Sequence, residues 1–150
     1  MIKAIVAVDK MGGVGVGDNL AITNKLDQAF FSGYTMGQTC VVGWNTYGQV
    51  RTLKGRDIML DRRNTLPQHI ITDGDIVVIG GVKTYIKYAE YTQELLVTFF
   101  EDENKDCDKF LDVYATYSHL TKREVVYNGL RSDTPFRIER WTLPQEERPF

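Results

Sequence analysis

Asp27 is followed at i+3, i+4 and i+7 by Phe30, Phe31 and Tyr34, a spacing that on a helix aims one carboxylate along an apolar face. Such a group either serves the helix dipole from the first turn, or is buried, in which case desolvation raises its pKa and it needs a partner such as the planar donor pair of a heterocycle. Arg56, after Gly55, is either an exposed turn residue or a planar fork that clamps a carboxylate. Asp61-Arg62-Arg63 places two guanidiniums where an anion could dock, or is a solvated charge run. Thr98 stands alone as a hydroxyl in an apolar run and can satisfy itself locally, while Trp44 and Tyr47 suit either a core or a stacking platform.

Three glycine clusters add bare backbone. Gly12-Gly13-Val14-Gly15-Val16-Gly17-Asp18-Asn19 follows the first apolar run but lacks G-x-G-x-x-G spacing, and Leu20-Ala21-Ile22-Thr23 does not open a long helix. It reads as a flexible loop that closes over a ligand or as an ordinary surface turn. Val42-Gly43-Trp44-Asn45-Thr46 and Ile79-Gly80-Gly81-Val82-Lys83-Thr84 each put glycine between an apolar run and a helix start, where unpaired N–H groups suit phosphate; as a pair they could bracket one pyrophosphate.

The elements that must position these residues are legible as short apolar runs. Ile2–Val8, Thr39–Val42, Asp57–Leu60, Asp75–Ile79 and Leu95–Phe100 are predicted strands covered on both faces. Between them, Leu26, Ala29, Phe30 and Phe31 form a helical stripe behind an Asn24 cap, and Tyr85, Ile86, Tyr88 and Ala89 form another. Alternating strands and helices predict an α/β fold with a mainly parallel sheet. Arg123–Tyr127 and Phe136–Trp141 alternate polar and apolar around a turn-rich stretch and predict a C-terminal antiparallel hairpin, followed by a mobile tail over 142–150.

At 150 residues, with 43% hydrophobic and 25% charged residues, the chain predicts one globular domain over 1–150 and excludes disordered and coiled-coil classes. A net charge of −2 gives no bulk pull toward nucleic acid or anionic membrane. Cys40, Cys107, His69 and His119 lack zinc-site spacing, and no signal-peptide pattern or membrane-length apolar stretch is present, which predicts a cytoplasmic protein with free thiols.

Taken in order, the first strand, Gly13–Leu20, Asp27 with Phe30-Phe31, Val42–Tyr47, Leu53-Lys54-Gly55-Arg56, Ile79–Tyr85 and Leu96-Val97-Thr98 resemble dihydrofolate reductases, from Met1 to about Leu111. The resemblance implies a three-layer fold with a central eight-stranded, mostly parallel sheet, a C-terminal antiparallel hairpin and helices on both faces. It implies a monomer that reduces 7,8-dihydrofolate with NADPH and binds antifolate-type small molecules, with no metal. Asp27 would orient the pterin and help N5 acquire a proton, with Leu20, Ile22 and Thr98 completing the catalytic surroundings. Ile5, Val6, Gln28, Phe31, Val50, Leu53, Ile79 and Tyr85 would surround the substrate, and Arg56 would take its α-carboxylate with two-pronged geometry. Ala7, Val14, Gly15, Asn19, Leu20, Ile79 and Tyr85 would face the nicotinamide side, while Gly43, Trp44, Asn45, Thr46, Leu60, Asp61, Arg62, Arg63, Gly80, Gly81, Val82, Lys83 and Thr84 would hold the rest of the cofactor. A cis peptide is implied at Gly80-Gly81.

Three departures from the family pattern, and one acidic stretch, shape further expectations. Ala21-Ile22 replaces the usual Pro-Trp, removing an indole donor and a fixed φ, which implies altered antifolate affinity. Trp44 and Asn45 stand at positions that are often basic. Asp61 stands where a hydroxyl commonly meets the 2′-phosphate, so it should repel that group unless Arg62 or Arg63 compensates. The acidic stretch Glu101–Asp106 would lie in a loop supporting the glycine-rich one, with either Asp106 or Asp108 making the contact. The rival readings are a related NADPH-dependent pterin or pyrimidine reductase and a non-catalytic ligand-binding descendant.

Overall fold

The computed structural model of the protein describes residues 1–67 and 75–144. Its chain runs β1 (Ile2–Val8), β2 (Gly13–Val16), β3 (Asn19–Leu20), α1 (Lys25–Thr35), β4 (Thr39–Val42), α2 (Trp44–Val50), β5 (Asp57–Leu60), β6 (Ile76–Gly80), α3 (Val82–Tyr88), a 3-10 turn (Ala89–Tyr91), β7 (Thr92–Phe100), β8 (Lys109–Phe110), α4 (Val113–Thr116), β9 (Lys122–Asn128) and β10 (Phe136–Thr142). Among the described residues the main sheet has seven strands rather than eight, in the order β5-β4-β6-β1-β7-β10-β9. β5 through β7 are parallel neighbours, and β10 and β9 close one edge as the antiparallel hairpin.

β1 shows why the central strands lack alternation: six of its seven residues are buried, because both faces of the sheet are covered. On one face, Ala4, Val6, Val8, Val97 and Trp141 pack with Tyr85 and Tyr88 of α3 and Val113 of α4. On the other, Ile5, Val42, Val77, Ile79, Leu96 and Phe100 pack against Phe30, Phe31 and Tyr34 of α1 and Tyr47 and Val50 of α2. Each fully buried Leu, Ile or Phe among these contributes roughly 1.5–3 kcal/mol.

Asn24 caps α1 as expected, its Oδ1 accepting from the amides of Leu26 (2.9 Å) and Asp27 (3.1 Å). The buried stripe is rotated from the expected one: Leu26 and Ala29 are exposed, and Phe30, Phe31, Tyr34 and Thr35 face the sheet. β7 begins at Thr92, earlier than its apolar run, because Thr92 and Glu94 register against Ile2 and Lys3 of β1. Thr142, expected in the tail, is the last residue of β10, where it pairs with Glu94 and Lys122. Residues 145–150 of that tail, and His69, lie outside the described residues.

The glycine-rich segment is not a bare loop. β2 pairs with β3 and with β8 in a second, three-stranded antiparallel sheet, so its backbone is held by a segment more than ninety positions away. Among the described residues, no helix is long and apolar enough to cross a membrane.

Candidate active site

Asp27 leaves the first turn of α1 toward the sheet, where Thr98 Oγ1 donates to its Oδ1 at 2.6 Å. Thr98 lies opposite Ala7 in the β1–β7 register, so helix, central strand and hydroxyl meet at one point. Burial pushes the Asp27 carboxyl above the usual carboxylate value, and the Thr98 hydrogen bond partly opposes that. Among the described residues no other side chain donates to this carboxylate, which leaves Oδ2 for a ligand. Ile5, Ala7, Ile22, Phe31, Val50 and Ile79 belong to the same apolar cluster. Gln28 is exposed beside it, and Leu53 is half-buried just after α2.

Three expected residues pack on the other face of the sheet. Val6 points to the opposite face of β1, because side chains alternate along a strand. Tyr85 also packs on that face, its hydroxyl donating to the Ile5 carbonyl at 2.6 Å, and burial raises its pKa well above normal. Val14 likewise packs toward the Tyr85 side.

Arg56 is tied down from several sides. Its Nε donates to Thr35 Oγ1 (3.0 Å), one terminal nitrogen to Ser32 O (2.8 Å) and Ser32 Oγ (2.7 Å), and the other to Lys54 O (2.7 Å). These contacts satisfy the C-terminal turn of α1, which has no basic residue of its own. They also use most of the guanidinium's five donors. The guanidinium is thereby held as a fixed positive charge with little free donor capacity.

At the carboxyl ends of β4 and β6 the backbone is bare. The Gly43 amide donates to Gly80 O (2.7 Å), Gly80 has φ +140°, and the Gly80-Gly81 peptide is cis. A β-carbon at Gly43 would collide with Thr84 Oγ1, so glycine there follows from close packing of α3 on β4. At Gly81 a β-carbon would stand 3.3 Å from Thr46 Oγ1. No side chain caps α2 or α3. Trp44, Asn45, Lys83, Arg62 and Arg63 are exposed around this end, whereas Val82 packs into the core and Leu60 is half-buried. Asp61 is neither exposed nor paired with its neighbouring arginines: Lys87 Nζ reaches both its oxygens (2.9 and 3.1 Å), and Tyr88 Oη donates at 2.9 Å.

The glycine-rich segment carrying β2 and β3 is clasped at three points. Asp9, only 3% exposed, accepts from the amides of Met11 (2.9 Å), Gly13 (2.7 Å) and Asn104 (2.9 Å). Asn104 Nδ2 donates to Ala21 O (2.8 Å), joining the residue after β3 to the segment that follows β7. At the tip, Gly17 donates to Asp108 Oδ1 (3.0 Å) and accepts from Lys109 Nζ (2.5 Å). The Gly17 amide holds the Asp108 carboxyl below the usual range. Asp108, not Asp106, thus makes the supporting contact. Gly15 lies within this sheet, while Asn19 and Leu20 lie exposed on β3. Asp9 and Asn104 were not singled out from sequence; an Asp at a strand end four residues before glycine is the available signal, since such a carboxylate caps its own turn.

A separate cavity of about 810 Å³, lined by residues including Lys10, Phe99, Phe110, Tyr114 and Arg137, contains neither Asp27 nor Thr98. Among the described residues, Asp27 is the carboxylate whose pKa burial raises, and it meets Thr98 at the edge of the apolar cluster of Ile5, Phe31 and Ile79.

Fold and site together are those of a small α/β enzyme of the oxidoreductase class. A family model described as dihydrofolate reductase matches residues 1–142, and the chain belongs to that family. Its fold is similar to that of a solved dihydrofolate reductase from Enterococcus faecalis complexed with NADP(H) and RAB-propyl, with a TM-score of 0.75, 20% sequence identity and 95% coverage of each chain. No curated protein matches the sequence significantly.

Proposed function

We propose that this protein reduces 7,8-dihydrofolate to tetrahydrofolate with NADPH, acting as a cytoplasmic monomer that antifolates inhibit. The observation that carries this reading is Asp27, a half-buried carboxylate with raised pKa, engaged on one oxygen by Thr98 and set among Ile5, Phe31 and Val50.

Asp27 Oδ2 is available to accept from the amino group and ring nitrogen of a pterin, which fixes the ring between the apolar walls. Burial raises its pKa, so this carboxylate takes up a proton more readily than an exposed aspartate and can pass it through a water toward the ring nitrogen that must be protonated. Ile22 is half-buried in the same cluster and has no donor, so it narrows the crevice without ordering that water. Thr98 keeps the carboxylate in one orientation and restrains its pKa. Arg56 supplies a fixed charge for the substrate's carboxylate end.

The residues at this end suit a dinucleotide: bare backbone at Gly43 and Gly80-Gly81 lies at the carboxyl ends of neighbouring parallel strands, and exposed Arg62, Arg63 and Lys83 offer charge to phosphates. When bound, NADPH supplies a hydride. Ala7 and Ile79 offer small and apolar surface beside it, and the clasped lid formed by β2 and β3 excludes water.

Absorbance at the nicotinamide band tests the reading, with dihydrofolate and either NADPH or NADH, with and without an antifolate. Consumption of NADPH that the antifolate stops is the expected result. No consumption of either cofactor would overturn it in favour of a binding role.

A further inference from the structure

We infer that Lys87, on α3, makes this protein select NADPH over NADH, by withdrawing Asp61 from the cofactor's ribose. The inference rests on the proposed use of a nicotinamide cofactor. In open parallel sheets, ligands lie beyond the carboxyl ends of the strands; an acidic side chain there accepts from a ribose 2′-hydroxyl, and an arginine takes a 2′-phosphate. This chain places both kinds of residue at one strand end. Asp61 directly follows β5, its amide donates to Val42 O at 2.8 Å, and it therefore stands level with the end of β4 and Gly43. Arg62 and Arg63 come next.

Left free, Asp61 would favour a hydroxyl and repel a phosphate. The structure removes it from that choice. Lys87 Nζ bonds both carboxylate oxygens (2.9 and 3.1 Å), Tyr88 Oη fills Oδ1 (2.9 Å), and the side chain is only 10% exposed. Lys87 Nζ also donates to Arg62 O (3.1 Å), and the Arg62 amide donates to Thr65 Oγ1 (3.2 Å), so one ammonium neutralises the acid and pins the turn that carries the arginines. Arg62 and Arg63 are exposed and have no ion-pair partner among the described residues. The surface offered at this strand end is cationic. Lys87 is thus a specificity-determining residue that acts through Asp61.

Calorimetric titration with 2′,5′-ADP and with 5′-AMP reads this without requiring turnover, and KM for NADPH and NADH reads it in the reaction. In Lys87→Met, 2′,5′-ADP binding and the NADPH KM should each worsen about tenfold, with 5′-AMP and NADH within about twofold of wild type. Lys87→Arg should keep the wild-type ratio, and the double variant Asp61→Asn/Lys87→Met should restore it. An unchanged ratio in Lys87→Met, an equal loss for both nucleotides, or failure of the double variant to recover would overturn the inference. So would wild-type protein that binds 5′-AMP as tightly as 2′,5′-ADP. Wild-type protein that discriminates the nucleotides but leaves dihydrofolate unreduced would refute the functional reading alone.

Discussion

Asp27→Asn is nearly isosteric and keeps an oxygen to accept from Thr98, so the 2.6 Å contact and the Asn24 cap on the residue 27 amide both survive. What disappears is the titrating group. General acid–base assistance accounts for roughly 10²–10⁴ in rate, about 2.7–5.5 kcal/mol of barrier, and turnover at neutral pH should fall within that range. The loss should shrink toward acid pH, where solvent can supply the proton. Stability should move the other way. Burial raises the folded-state pKa of Asp27 above the ordinary value of 3.8, so its contribution is fully present below that pH and is lost as pH rises through the folded value. The amide lacks that dependence. Relative to wild type, the variant should gain stability with rising pH across that window, with each 1 kcal/mol gained moving the melting midpoint by about 2–4 °C. The assay is a pair of pH series, one following NADPH absorbance with dihydrofolate and one following thermal unfolding. Turnover within about threefold of wild type at pH 7, with NADPH still bound, would refute the role assigned to Asp27.

Three further substitutions probe the surrounding structure. Thr98→Val removes the hydrogen bond that holds the Asp27 pKa down, so the pH midpoint of the hydride step should move upward; a downward shift would contradict the geometry. Arg56→Lys keeps the charge but loses the planar fork to Thr35 and Ser32, so it should lower stability by about 1–3 kcal/mol in a denaturant titration, with the dihydrofolate KM raised more than kcat is changed. Gly13→Ala would place a β-carbon 2.6 Å from Cys107 Sγ and 2.8 Å from Asp9 Oδ2, costing about 1–3 kcal/mol; added Cys107→Ala should return part of that in thermal melts.

The central parallel strands were legible because strands covered on both faces have no polar side to interrupt them: β1 and β4 start and stop where their apolar runs do, whereas β5 has its predicted bounds but lies at the sheet edge with no residue buried. Asn24 was legible because a cap is a local device. Features made by distant partners were not. β2 and β3 look like loop because glycine leaves no side-chain pattern, and the strand that pairs with β2 is Lys109–Phe110. Asp61 reads as a liability beside two arginines until α3 brings Lys87 and Tyr88 against it. Arg56 suggested an open fork, yet the end of α1 occupies most of it. Val6 and Ile5 are chemically alike, and only the pleat decides which one joins Asp27.

The chain has two tryptophans, and they differ as optical probes. Trp141 is 0% exposed, its indole N–H bonded to Glu139 at 2.9 Å, so its emission is shielded from dissolved quenchers. Trp44, 73% exposed at the start of α2, should emit like indole in water and be quenched readily by iodide. Loss of iodide quenching as nucleotide is added would therefore report occupancy at one end of the crevice, from the native chain and with no label attached.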